Sequence, residues 1–242
     1  MLTSRQTRSL VFTGLLAILP ISMADAPQVR PQEPTVGQIL ERHLRAVGGR
    51  AAVERCTTRV MTGRIVTDLP TWNPPVYEEA VVEIRSAVPH GFIMTQRGTE
   101  GTRWDGYDGV VRWSSHGREI EYDERPNPDL AWLVHPQNAV RFREFFPDMR
   151  FRGEMELAGR RVYVIDIDDH PSHALCFDVR SGLLVRLGYN GELGDYRVVD
   201  GVKVPFRYAL SRKGGSTTYA FDRIDHNVAV DPDRFAARRT MR

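Results

Sequence analysis

Five acidic or imidazole side chains crowd into the eight residues Asp166–His173, which read Asp-Ile-Asp-Asp-His-Pro-Ser-His. His170 and His173 among Asp166, Asp168 and Asp169 offer the nitrogen and oxygen donors of a zinc or manganese site. They also offer the carboxylate–imidazole pair of a hydrolase. The run falls between two strand-like stretches, Arg161–Ile167 and Ala174–Asp178, so a polar hairpin loop explains it more simply. As loop residues, His170 and His173 are both expected to tolerate alanine without loss of folding. The carboxylate pairs Glu78-Glu79 and Glu119/Glu121 are of the kind glycosidases use. A strand sends Glu78 and Glu79 to opposite faces, and a solvated edge strand explains Glu119 and Glu121. The chain has no phosphate-cradling glycine loop, G-x-S-x-G, H-E-x-x-H or C-x-x-C. His43 lies beside an apolar helical stripe, where a solvated or core-edge histidine is the plainer reading than a catalytic one. No catalytic residue, metal ligand or cofactor is therefore assigned.

The elements that would position any site are mostly strands. Val202, Val204, Phe206, Tyr208 and Leu210 alternate with polar or small residues, the pattern of a half-buried antiparallel strand. Asp200-Gly201 suits a tight hairpin turn back to Asp195–Val199, and Lys213–Ser216 turns forward into Thr217–Ile224. Period-two runs predict further strands at Thr58–Thr67, Tyr77–Ala87, Gly91–Arg97, Thr102–Tyr107, Val110–Ser115 and Glu119–Tyr122. Others fall at Met149–Leu157, Arg161–Ile167, Ala174–Asp178 and Leu183–Leu187. Asp108-Gly109 marks one more hairpin, and the loop Asp68–Pro75, with Trp72, reads as anchored by that one ring rather than as a lid. A helix starts at Thr35, where Thr-x-x-Gln forms a capping box, and ends at Gly48-Gly49. Asn127–Asp148 reads as two short helices with Pro136 at their junction. Their large apolar residues must cover something equally apolar.

Eight aromatic residues spread over the sheet and these central helices: Trp104, Trp113, Trp132, Phe142, Phe145, Phe146, Phe206 and Tyr208. Either they are a solid core, or they line a hollow under a movable helical cover jointed at Pro136 and the flanking Pro126, Pro128 and Pro147. In the second case they form a hydrophobic ligand-binding surface, which Phe206→Asp should weaken without unfolding the protein.

The 242-residue chain carries 33 basic against 31 acidic side chains. Residues 1–24 hold Arg5, Arg8 and no acid, so without them the balance is 31 against 31. A neutral chain gives no electrostatic case for nucleic acid or an anionic membrane. Arg5 and Arg8, the apolar run Leu10–Ile21 and Ser22-Met23-Ala24 read as a cleaved signal peptide, followed by a polar leader at 25–34 and one domain at 35–242. The run is shorter than the ~20 residues of a membrane span. The mature chain is therefore expected to be exported, with no integral membrane segment. In an oxidising compartment Cys56 and Cys176 could pair. Two buried free thiols are the equal alternative.

The closing run DYRVVDGVKVPFRYALSRKGGSTTYAFDRIDHNVAVDPDRF resembles the end of bacterial outer-membrane lipoprotein-sorting proteins, the LolA-like group. VGQILERHLRAVGGRAAVERCTTRVMTGRI, GYDGVVRW and FDVRSGLLVRL match the same group, so the resemblance touches most of residues 36–236. It implies a mainly β (α+β) fold: a curved, unclosed antiparallel half-barrel of about a dozen strands with helices covering the concave face. It also implies a periplasmic, non-enzymatic carrier of a lipidated or otherwise hydrophobic ligand, with an envelope protein as a further candidate partner. A non-catalytic interaction or sensor module on the same fold, and a hydrolase using the Asp166–His173 loop, are the alternatives.

Overall fold

The computed structural model describes residues 33–116, 119–123, 128–170 and 172–236. The signal segment, most of the leader and Pro126 lie outside the described residues. Thr58–Leu69 (β1), Val76–Ala87 (β2), Gly91–Gly98 (β3), Gly101–Tyr107 (β4), Arg112–His116 (β5) and Glu119–Asp123 (β6) form one antiparallel meander. Arg150–Leu157 (β7), Arg160–Asp166 (β8), Ala174–Asp178 (β9), Leu184–Leu187 (β10), Gly191–Val199 (β11), Val202–Arg212 (β12) and Gly215–His226 (β13) form a second. Pairing of β1 with β13 joins the two into a single curved sheet of 13 strands that runs from β6 to β7 and does not close. The fold is mainly β, a half-barrel, as the alternating sequence pattern predicts.

Turn chemistry accounts for the hairpins. Asp200 (φ 50°) and Gly201 (φ 81°) occupy the two positive-φ positions between β11 and β12. Between β4 and β5 the Asp108 carboxylate accepts the amides of Val110 and Val111, closing an Asx turn. The Trp72 loop is anchored: its indole donates to the Lys213 carbonyl (2.9 Å) in the β12–β13 turn.

Helix α1 (Val36–Ala46) begins with the full Thr35/Gln38 capping box, and the short α2 (Arg50–Glu54) follows. Gly48 (φ 120°) sits so close to the Gly201 carbonyl that a Cβ would approach it to 2.2 Å. Pro128–Val134 (α3), a 3-10 turn at Asn138–Val140 and Phe142–Phe145 (α4) connect the opposite edges β6 and β7. That connection has to cross the concave face, and so the helices cover it.

Two apolar clusters fill the space beneath. Met61, Val82, Ile84, Phe92, Val204, Phe206 and Phe221 pack with Val53, Ala131 and Val134 in the first. Trp132, Leu133, Phe142 and Phe146 pack with Ile39, Ile165, Phe177, Leu184 and Tyr208 in the second. His43 belongs to this interior: its ring meets Phe142 and Phe177 edge-on, and its Nδ1 lies 3.0 Å from the Gly182 carbonyl.

The outer face carries a separate cluster. Phe235 folds back against Ile93 and Ala87, and its carbonyl accepts the Trp113 indole N–H at 2.6 Å. Trp104 packs against the same cluster. Cys56 and Cys176 are both buried and free, and they lie in different parts of the core.

The Pro136 corner is tied down rather than jointed. Arg59 donates to the Pro136 carbonyl (3.0 Å) and Ser86 to the Val134 carbonyl (2.7 Å). His135 Nε2 lies 2.7 Å from the Pro89 carbonyl, and the Gln137 amide donates to the Glu54 carbonyl (2.7 Å). Four contacts to separate elements fix this turn.

Candidate functional site

Beyond the N-terminal end of α3 the helical cover stops and the concave face opens into a cavity of about 390 Å³. Each strand brings alternate residues to it, and along β1, β2, β3 and β13 polarity rises toward the mouth. On β1 Ile65 is followed by Thr67, and on β3 Met94 by Gln96. Running back along β2, Ala80 gives way to Glu78; along β13, Tyr219 gives way to Thr217. Tyr208 and Leu210 of β12 close one side, and Arg103, Asp105 and Arg112 of β4 and β5 the other. Leu130 and Asp129 of α3 form the roof. Side chains two apart on a strand share a face, so one register delivers both the apolar floor and the polar rim.

The charged groups are interlocked. Arg112 and Asp105 pair at 3.5 Å, both largely shielded, and Gln96 Nε2 reaches the same carboxylate at 3.5 Å. Burial pushes the Asp105 carboxyl above its ordinary value, with Arg112 pulling the other way. Asp129 reaches out of the cavity to His173, whose Nε2 lies 3.2 Å from its Oδ1. His173 Nδ1 is 2.5 Å from Asp168, and its ring stacks on Tyr189 at 4.4 Å. Gly188 packs so tightly against Asp129 that a Cβ would meet the carboxylate at 1.9 Å.

A neutral imidazole has one N–H and can donate to one carboxylate only. Two such contacts therefore need a second proton shared among the ring and the two carboxylates. Burial raises the Asp129 carboxyl, against the pull of His173. For Asp168 burial is outweighed by hydrogen bonds from His173 and the His170 amide, which hold it below its ordinary value.

The Asp166–His173 loop is therefore not solvated throughout. Among the described residues no three His, Cys, Asp or Glu side chains are arranged to hold a metal ion. The expectation that both histidines tolerate alanine is corrected for His173. His173 is 8% exposed and clamps α3 to the β8–β9 hairpin, whereas His170 is exposed. Removing a buried partner from Asp129 is expected to cost about 1–3 kcal/mol. Urea unfolding of His173→Ala should show that loss and His170→Ala should not; equal midpoints for the two variants would refute the clamp.

The aromatic residues expected to line one hollow are divided by the structure. Tyr208 lines the cavity. Trp132, Phe142 and Phe146 are packed solid in the second core cluster with Phe145 against them, and Phe206 is in the first. Phe206 is buried in that cluster, so Phe206→Asp would break the core rather than report on ligand. Trp104 and Trp113 point to the outer face, because the cavity takes their strand neighbours Arg103, Asp105 and Arg112. Sequence reasoning missed Gln96, Arg103, Asp105, Arg112 and Asp129. For the four strand residues the signal was a polar residue standing where the period-two pattern called for an apolar one; Asp129, on α3, left no such mark.

No family model matches the chain, and no curated protein does. Solved structures do. A DUF1329 family protein from Desulfovibrio piger aligns over 86% of this chain and 99% of its own at 9% identity, with a TM-score of 0.52. An outer membrane lipoprotein-sorting protein domain, so assigned, from Vibrio parahaemolyticus aligns over 84% and 98% at 9% identity, with a TM-score of 0.53. A LolA superfamily protein from Nitrosomonas europaea aligns over 86% and 100% at 12% identity, with a TM-score of 0.51. These likenesses establish the architecture.

Proposed function

We propose that this LolA-like half-barrel is a non-catalytic binding protein that carries an amphipathic, lipid-like ligand in the cavity between its concave face and α3. The observation that carries the reading is the gradient along the strands: Ile65, Ala80, Met94 and Tyr208 inside, Thr67, Glu78, Gln96 and Arg103 outside. Methylene groups gain about 0.8 kcal/mol each on leaving water, so the floor supplies affinity. The rim keeps the head of the ligand wet. A cavity of this size falls within the ~300–1,000 Å³ range of small-molecule sites. Export to the periplasm, argued from Arg5, Arg8 and the apolar run after them, belongs to the same proposal. Among the described residues no helix is long and apolar enough to cross a membrane.

A fluorescent C12–C16 fatty-acid probe should bind at micromolar concentration. Ala80→Phe, which places a ring in the cavity, should weaken binding at least about tenfold, or ~1.4 kcal/mol, without changing the far-UV spectrum. An absence of probe binding would defeat the carrier reading. The interaction-module alternative, which the solidly packed Trp132, Phe142 and Phe146 favour, would then replace it.

A further inference from the structure

The cavity rim is charged unevenly. Both arginines stand on the β4–β5 wall, with Asp105 between them on the same face. Three acids and two arginines line the cavity, so a formal count alone would favour a cationic ligand. Position reverses that count. Asp129 is engaged by His173 from behind. The Glu78 carboxylate lies back over Gly98 at the outer end of β2, where a Cβ on that glycine would sit 3.4 Å from it. Asp105 shares Arg112 and Gln96 at 3.5 Å each, longer than the ~2.7–2.9 Å of a charge-assisted hydrogen bond.

Arg103 pairs with Glu100 at 3.7 Å, and that glutamate is 69% exposed. Surface pairs of this sort are weak and readily exchanged. The guanidinium itself stays charged at any working pH and presents a planar fork that matches carboxylate and phosphate oxygens. Below this wall lies the Met94 and Ala80 floor, so an anion seated here has apolar surface immediately behind it.

We propose that the ligand carries an anionic head, carboxylate or phosphate, which the β4–β5 wall reads through Arg103 and Arg112 while its tail lies on the apolar floor. This rests on the carrier reading and adds a selectivity that the reading does not require. An incoming anion takes over Arg103 from Glu100 and shares Arg112 with Asp105. A neutral head of the same size finds no such exchange.

The test compares dodecanoate, dodecyl phosphate and 1-dodecanol as competitors of the fluorescent probe, with inorganic phosphate as the tail-less control. The two anionic amphiphiles should bind about tenfold or more tighter than the alcohol. Arg103→Met should abolish most of that preference, so that the anionic amphiphiles and the alcohol bind nearly alike. Arg112→Met should do the same if it folds; Arg103, the more exposed of the two, keeps the test decisive if it does not. Equal binding of acid and alcohol by the wild type would overturn the head-group proposal while leaving the carrier reading standing. Failure of every amphiphile to bind would overturn both. Inorganic phosphate displacing the probe as well as dodecyl phosphate does would overturn the proposal in favour of a free-anion site.

Discussion

Arg59→Ala is expected to lose about 3–5 kcal/mol of folding stability, a large share of the ~5–15 kcal/mol that holds a typical domain together. Arg59 is 2% exposed, among the largest fully buried side chains. Its Nε donates to His226 Nε2 (3.1 Å) and its NH2 to the Pro136 carbonyl (3.0 Å), and neither acceptor is an anion. Burial pushes the guanidinium pKa down to about 10, and it is still charged at neutral pH. Alanine removes the donor from both acceptors and opens a void beneath the corner that holds the helical cover. Arg59→Met fills most of that void, so its smaller loss would separate packing from hydrogen bonding. Thermal unfolding should place Arg59→Ala about 6 °C or more below wild type. A midpoint within 1–2 °C of wild type would show that the corner does not depend on this side chain.

Mild acid is expected to unfold the protein. Burial pushes His43, His135 and His226 each down to about 4. In the unfolded chain such groups titrate near 6.5. Between pH 6.5 and 4 the unfolded state therefore binds protons that the folded state refuses, and by linkage stability falls with pH across that window. Above pH 6.5 the full stability is present. At about 1.4 kcal/mol per pKa unit, three such groups together amount to a term of the same order as the whole stability of a domain. Asp105 and Asp129, whose carboxyls burial raises, act in the opposite direction and blunt the fall. The melting temperature should be flat from pH 8 to about 6.5 and drop steeply toward pH 4.5. An unchanged melting temperature at pH 4.5 would mean that these imidazoles are not held neutral.

Most of the sheet was legible because each strand shows the core one face and solvent the other, which writes period two into the sequence. β11 begins earlier than expected, at Gly191, because Gly191 and Gly194 carry no side chain to mark the pattern. The site was harder to see. Large aromatics advertise burial, but burial on the outer face looks identical to burial on the inner one. The Phe235 segment covers Trp113 from outside, and tertiary contacts of this kind show which way β5 is turned. His173 offered no better clue, since its partner Asp129 lies 44 residues away. The resemblance to LolA-like proteins carried the architecture but named no polar residue of the cavity rim.

Every pairing in the sheet except one joins strands adjacent in sequence. The exception, β1 with β13, matches Arg59 to His226 across 167 positions and is the single seam between two otherwise local meanders. Each meander can zip up hairpin by hairpin, since local contacts form before distant ones. The seam must wait for the last strand. A chain released N-terminus first, from a ribosome or through a pore, thus stays unsealed until β13 has emerged. The cavity, whose floor spans the seam from Met94 and Ile65 to Tyr219 and Tyr208, does not exist before that moment. A chain truncated before β13 would leave two half-sheets with no cavity between them.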